Sequence, residues 1–236
     1  RNGIATFTHL ALKQNPHLTV PETAKALINR IFYANIRRNA ILSRNLQNIV
    51  QTFSAHNIDI LPFKGLILSH FLYQNSEYRQ IADLDFLIRW EEFGKAIELL
   101  NGLGYQHEHL LAEQDQGLFA HFRSSTELVH QTNRLLIEPH WRIFDGYFPE
   151  WCSNSDLFER SLVYQFDGIE TRNLDNYSLL LLLCIHPARH GWLQVVNWLD
   201  LAQFICNHSD LNWPESADRA REDGALRIVT TAVRMV

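Results

Sequence analysis

The chain has 236 residues, is 46% hydrophobic and 20% charged, and carries a formal net charge of −5 at pH 7, an ordinary globular composition with room for one sizeable core or a core plus a smaller helical appendage. Its longest apolar run, Leu179 to Ile185, is seven residues and too short to span a bilayer. Three cysteines, Cys152, Cys184 and Cys206, form an odd count without paired spacing, which argues against a disulfide framework and a zinc ribbon and fits a reducing, cytoplasmic compartment.

No N-terminal segment has the basic, apolar and small-residue order of a signal peptide. Residues 1–50 hold seven Lys and Arg against one acid, a balance of +6, and the remainder is −11. A basic arm of this kind could meet a nucleic acid, but docking on the acidic body is the plainer reading.

Taken in order, Thr23 to Phe53 reads as helix: Pro21 suits a first turn, and Leu27, Ile31, Ile41, Leu42, Leu46, Ile49 and Val50 recur at helical spacing. Ile58 to Phe63 is a short apolar strand, Leu66 to Tyr73 a helix, and Gln74 to Gln80 a loop. Asp83 to Ile88 is strand, and Glu91 to Leu103 is an amphipathic helix closed by Gly102 and Gly104. Glu127 to His130 and Leu135 to Ile143 form the arms of a hairpin turning at Gln131 to Arg134. From Ser178 the chain is helical again, through "SLLLLLCIHPARHGW", "VVNWLDLAQFI" and a last amphipathic stretch, Ala225 to Val236. The order predicts an α+β fold: a small mixed sheet with packed helices over residues 56–146, between helical regions at 1–55 and 147–236.

The strand at Asp83 contains the first chemical oddity. Successive strand side chains alternate faces, so Asp83 and Asp85 project together while Leu84, Phe86 and Ile88 enter the core. Two carboxylates that close repel, and the relief is a shared proton or a hard cation such as magnesium. Alone, the pair reads equally well as a strand-start Asp beside a surface Asp. Upstream, Lys64-Gly65 stands between a strand and a helix, where a glycine lets backbone approach a phosphate at the positive end of the helix. Glu138, in "LLIEPHW", interrupts an apolar strand in the same way, and a neighbouring strand could bring it beside the aspartates. Three acids on adjacent strands suit two divalent ions over a phosphoryl group in transfer.

These residues carry a resemblance. The order glycine, short helix, Asp-x-Asp and later strand acid resembles the nucleotidyltransferase superfamily of polymerase-beta type, and "LPFKGLILSHFLYQNSEYRQIADLDFLI" is similar to its little-characterised bacterial branch. So are Tyr73, Arg79 four residues before Asp83, "LLNGLGY", "EPHW", "CIHPARHGW" and "WLDLAQF", over roughly residues 20–205. The resemblance implies that Asp83 and Asp85 hold two Mg2+ ions with Glu138 as third carboxylate or base, and that Lys64, Gly65 and Arg79 line the triphosphate with His140 on the nucleotide side. Where the superfamily commonly has Gly-Gly or Gly-Ser at the start of the helix, this chain has Lys64-Gly65-Leu66, as does the branch.

The implied activity is magnesium-dependent transfer of a nucleoside monophosphate from an NTP to a hydroxyl of a protein, an RNA end or a small molecule, without a membrane. The alternative is a non-catalytic module that keeps the fold to bind a nucleotide or a protein. His186 and His190 stand four apart on a predicted helix, but Pro187 replaces the glutamate a zinc protease needs. They read as core histidines, or as residues lining the cleft with His140. Tryptophans such as Trp192 and Trp198 read as core, and neither a Walker-type phosphate loop nor an assignable nucleophile triad is present.

Overall fold

A computed structural model describes residues 3–107, 123–144, 154–189 and 191–236. The elements gather into two compact units that interleave along the chain: Arg1–Ile41, Leu68–Ile81 and Asn176–Val236 form one, and Leu42–Ile67 and Ala82–Asp175 the other.

The second unit holds the sheet. Strands β1 (Ile60–Pro62), β2 (Asp83–Ile88), β3 (Tyr105–His107), β4 (Leu128–His130) and β5 (Leu136–His140) run in the order β1-β2-β5-β4-β3. Among the described residues only β2 and β5 are parallel neighbours; β1 pairs with β2, β4 with β5 and β3 with β4 antiparallel. The predicted strand at 83–88 and the predicted hairpin turning at 131–134 are both present. The hairpin turn is tied by His130 Nδ1, which accepts from the backbone N–H groups of Thr132 and Asn133 at 3.2 and 3.4 Å.

The predicted long helix spans Glu22–Ala55 (α2), after a first helix, Ala5–Gln14 (α1), that periodicity did not reveal. Pro21 lies just outside α2 and its carbonyl accepts from Ala24 and Lys25. In the sheet-bearing unit, Leu42, Leu46, Ile49 and Phe53 of α2 are fully buried at spacings of one helical face, and Phe53 meets Phe86 of β2 edge to face at 6.3 Å. Burying each such side chain contributes about 1.5–3 kcal/mol. A 3-10 turn, Trp90–Glu92, leads into α4 (Phe93–Gly102), as the amphipathic run at 91–103 predicts.

Helix α5 (Asn154–Arg160) and a separate hairpin, β6 (Leu162–Phe166) and β7 (Ile169–Asn173), complete this unit. The hairpin turns on Asp167 and Gly168, both with positive φ (45° and 81°), the two-residue turn that Asp-Gly favours. Its tip is held by Ser43 Oγ donating to Asp167 Oδ2 at 2.6 Å.

The other unit is helical. Besides α1 and part of α2, it takes most of α3 (Gly65–Tyr73) and the whole of α6 (Asn176–Arg189), α7 (Val195–Asn207), α8 (Trp213–Glu222) and α9 (Leu226–Val233). Helix α6 is buried on nearly every face from Tyr177 to Ile185, as expected of a helix apolar all round, and it packs against α7 and α9. Among the described residues no helix is long and apolar enough to cross a membrane.

Candidate active site

Burial along β2 is continuous after a half-buried Asp83, so Asp85 lies among Leu84, Phe86, Leu87 and Ile88 at 7% exposure. A carboxylate there needs partners. The parallel β2–β5 register sets Asp85 opposite Glu138 and Asp83 opposite Leu136. His140, two residues beyond Glu138 on the same face, places Nε2 3.1 Å from Asp85 Oδ1 and 3.4 Å from Glu138 Oε2. From the other side, Lys64 follows β1 and donates from Nζ to Asp85 Oδ1 at 2.9 Å.

The protonation of this group follows from its geometry. His140 Nδ1 lies 3.2 Å from the carbonyl oxygen of Arg142 and Nε2 faces two carboxylates. Both ring nitrogens therefore face acceptors, an arrangement that favours a proton on each. Burial alone would lower the affinity of His140 for its second proton, but the hydrogen bonds to Asp85 and Glu138 outweigh it and raise its pKa. Burial likewise opposes ionisation of Asp85, yet the Lys64 ammonium and then the His140 hydrogen bond hold its carboxyl well below the usual carboxylate range.

On the other side of Lys64, Gly65 opens α3 with φ +56°. That left-handed conformation favours glycine, which explains the residue at the strand-to-helix turn.

A Lys-Gly turn before a short helix, a strand carrying Asp83 and Asp85 and a later strand carrying Glu138 follow the order on which the sequence resemblance rests. The whole chain, residues 1–236, matches the family described as uncharacterised nucleotidyltransferase. The chain belongs to this nucleotidyltransferase family. Among solved structures it is similar to the solution structure of the antibiotic-resistance factor ANT(2'')-Ia, with a TM-score of 0.54 and 10% identity over 84% of this chain and 97% of that one. The crystal structure of ANT(2'')-Ia in complex with adenylyl-2''-tobramycin gives 0.54 and 11% over 79% and 97%. At these identities the likeness is one of fold. No curated protein matches the chain.

In this nucleotidyltransferase the carboxylates of Asp85 and Glu138 fit a divalent cation, which His140 Nε2 could join only without its proton. The ligand atoms of Asp85, Glu138 and His140 all lie within 4.8 Å of one another, near the span that one ion bridges at ligand distances of about 2.0–2.6 Å. Asp85 and Glu138 supply the oxygen donors that magnesium prefers. Asp83 lies on the same strand face but outside that close set, whereas His140, expected on the nucleotide side, is inside it.

Arg79 belongs to the helical unit, where its Nε donates to Asp200 Oδ2 at 2.9 Å. Tyr73 Oη donates to Asp200 Oδ1, also at 2.9 Å. Burial, then the Asp200 charge, raises the Tyr73 pKa. The same loop is gripped through its backbone: Asn35 Nδ2 donates to the carbonyls of Glu77 and Arg79, Asn39 Nδ2 to those of Ser76 and Arg79, Arg38 Nε to that of Ile81, and Thr6 Oγ1 to that of Tyr78. Asp200, 1% exposed, is a residue to which sequence reasoning gave no role. Its signal was an acid inside the apolar run "WLDLAQF". His186 lies on α6 just before the in-helix Pro187, and His190 falls outside the described residues.

Proposed function

We propose that the chain is a magnesium-dependent nucleotidyltransferase that moves a nucleoside monophosphate from an NTP to an acceptor hydroxyl. The observation that carries this reading is the in-register pairing of Asp85 with Glu138, closed by His140 and Lys64, next to the Lys64-Gly65 turn that starts α3. In the reaction the acceptor oxygen bonds to the α-phosphorus, the bond to the β-phosphate bridging oxygen breaks, and pyrophosphate leaves with the electron pair.

Asp85 and Glu138 would hold the metal, with Asp83 on the same strand face contributing to a second ion; bound divalent ions would neutralise charge on the phosphoryl group and favour ionisation of the attacking hydroxyl. Glu138, half-buried, would also accept the acceptor proton. Lys64 and the backbone at Gly65 would bind the triphosphate, because anions favour a helix N-terminus and a nearby ammonium. His140 would orient Asp85 and Glu138 through its paired contacts. Arg79 enters as the residue that, through Asp200, fixes the segment leading into β2.

The test incubates the chain with α-labelled nucleotides, Mg2+ and candidate acceptors of three kinds: the protein itself, RNA with a free 3' hydroxyl, and hydroxyl-rich small molecules. Label should appear on one of them, with pyrophosphate released, and disappear in Asp85→Asn. Transfer surviving both Asp83→Asn and Asp85→Asn defeats the site assignment. Magnesium-dependent nucleotide binding without any transfer points instead to a non-catalytic binding module.

A further inference from the structure

Asp85 Oδ1 already receives two charged donors, Lys64 Nζ at 2.9 Å and His140 Nε2 at 3.1 Å. The Lys64 side chain is only 14% exposed and that of Asp85 6%. Lys64 Nζ also lies 5.1 Å from the centre of the Phe63 ring, a contact that favours a cation. The ammonium therefore occupies a formed position rather than trailing in solvent. A divalent ion on the same oxygen would need the same lone pairs and would repel the ammonium at close range. Removing the ammonium alone has its own cost, since a sheltered charge would lose its partner. An arriving phosphate anion offsets that cost.

Building on the reading of Asp85 and Glu138 as the ion-holding pair, we propose that Lys64 is a resident counter-ion that occupies Asp85 until metal and nucleotide arrive together, then moves its charge from the carboxylate to the triphosphate. Lys64 is next in sequence to Gly65, whose left-handed turn opens α3, so its flexible stem starts beside the backbone amides that favour anions. Metal and triphosphate are then coupled: each removes an obstacle to the other, and either alone binds against the Lys64–Asp85 pair. Without nucleotide Asp85 and Glu138 stay aimed without keeping a metal.

The experiment uses the full chain stripped of metal. Mn2+ alone is titrated into wild type and Lys64→Gln, with free Mn2+ followed by electron paramagnetic resonance and folding checked by thermal melting. Lys64→Gln should bind Mn2+ about ten- to a hundredfold more tightly, the worth of one charged hydrogen bond no longer displaced. Equal or weaker affinity overturns the proposal.

A second readout needs no variant at the site. In wild type, the 15N-detected Lys64 ammonium resonance should shift when Mg2+ is added with an α,β-methylene triphosphate and much less with Mg2+ alone. A resonance unchanged when both are saturating overturns the proposal. Failure of both chains to bind Mn2+ at millimolar concentration overturns the ion-holding role of Asp85 and Glu138, and this proposal with it; binding without a Lys64 effect overturns the Lys64 role alone. Neither readout depends on nucleotidyl transfer.

Discussion

Glu138 and Asp85 are joined through one imidazolium: His140 Nε2 lies 3.4 Å from the first and 3.1 Å from the second, across the only parallel strand pair among the described residues. The two acids are thereby kept near each other without metal.

Asp85 should matter more than Asp83. Removing a residue that only hydrogen-bonds a metal ligand typically costs about 10–100-fold, and loss of a carboxylate that holds the ion directly should exceed that. Asp85→Asn is expected to lower magnesium-dependent label transfer by at least about a hundredfold, and Asp83→Asn by less, because Asp83 lies outside the close donor set. Single-turnover rates at saturating Mg2+ would show the order, and a reversed order contradicts the geometry.

The metal-free protein should lose stability as the solution becomes alkaline. His140 has a raised pKa in the folded state, so its contribution is fully present below about pH 6.5, the ordinary histidine value, and is lost as pH rises through the folded value. Asp85 acts oppositely: its folded pKa is depressed, so its contribution is present above about pH 4 and is lost as pH falls through that depressed value. Melting temperatures measured from pH 5 upward in chelator should fall above about 6.5, and His140→Gln should flatten that fall. An unchanged slope in the variant refutes the imidazolium bridge.

Asp200 and Arg79 should each be more costly to lose than Tyr73. Asp200 is 1% exposed and accepts from both Tyr73 and Arg79. Breaking a buried pair by removing one partner costs about 3–5 kcal/mol, which is the expectation for Asp200→Ala and Arg79→Met. Tyr73→Phe removes one hydrogen bond to a charge, about 1.5–3 kcal/mol. Urea unfolding gives the ranking; an Arg79→Met chain as stable as wild type removes the anchoring role.

Cysteine labelling separates two thiols. Burial pushes the Cys184 thiol up to about 12, and Cys184 is fully buried on α6, whereas Cys206 is exposed. At pH 8 an alkylating reagent should modify Cys206 and leave Cys184 untouched until denaturant is added, as peptide mass mapping would show.

Local pattern made much of this fold legible. Alternation around Asp83 and Asp85 defined β2, the heptad-like apolar face defined α2, and turn residues defined the β4–β5 hairpin. Lys64, Gly65, Asp85 and Glu138 stood out because each breaks an apolar run. Partnership was not legible. Nothing near Lys64 indicates that its ammonium rests on Asp85, and nothing near His140 indicates that it touches both acids, because these contacts depend on strand order. The resemblance implies a triphosphate role for Arg79, and no local pattern indicates that its Nε reaches an acid 121 positions later. Three-residue β3 and the two helices α1 and α8 carry too few periodic positions to register. The β6–β7 hairpin did carry a signal, Asp167-Gly168 between alternating residues, which the strong helical pattern that follows overshadowed.

Because Tyr73 and Arg79 precede Asp200 by 127 and 121 residues, a ribosome delivers the hydroxyl and guanidinium long before their shared acceptor exists. The nascent loop at 74–81 can acquire its side-chain anchor only when α7 has cleared the exit tunnel. Folding of the helical unit therefore waits for α7, and a chain stalled before it would lack the Asp200 contact of Arg79.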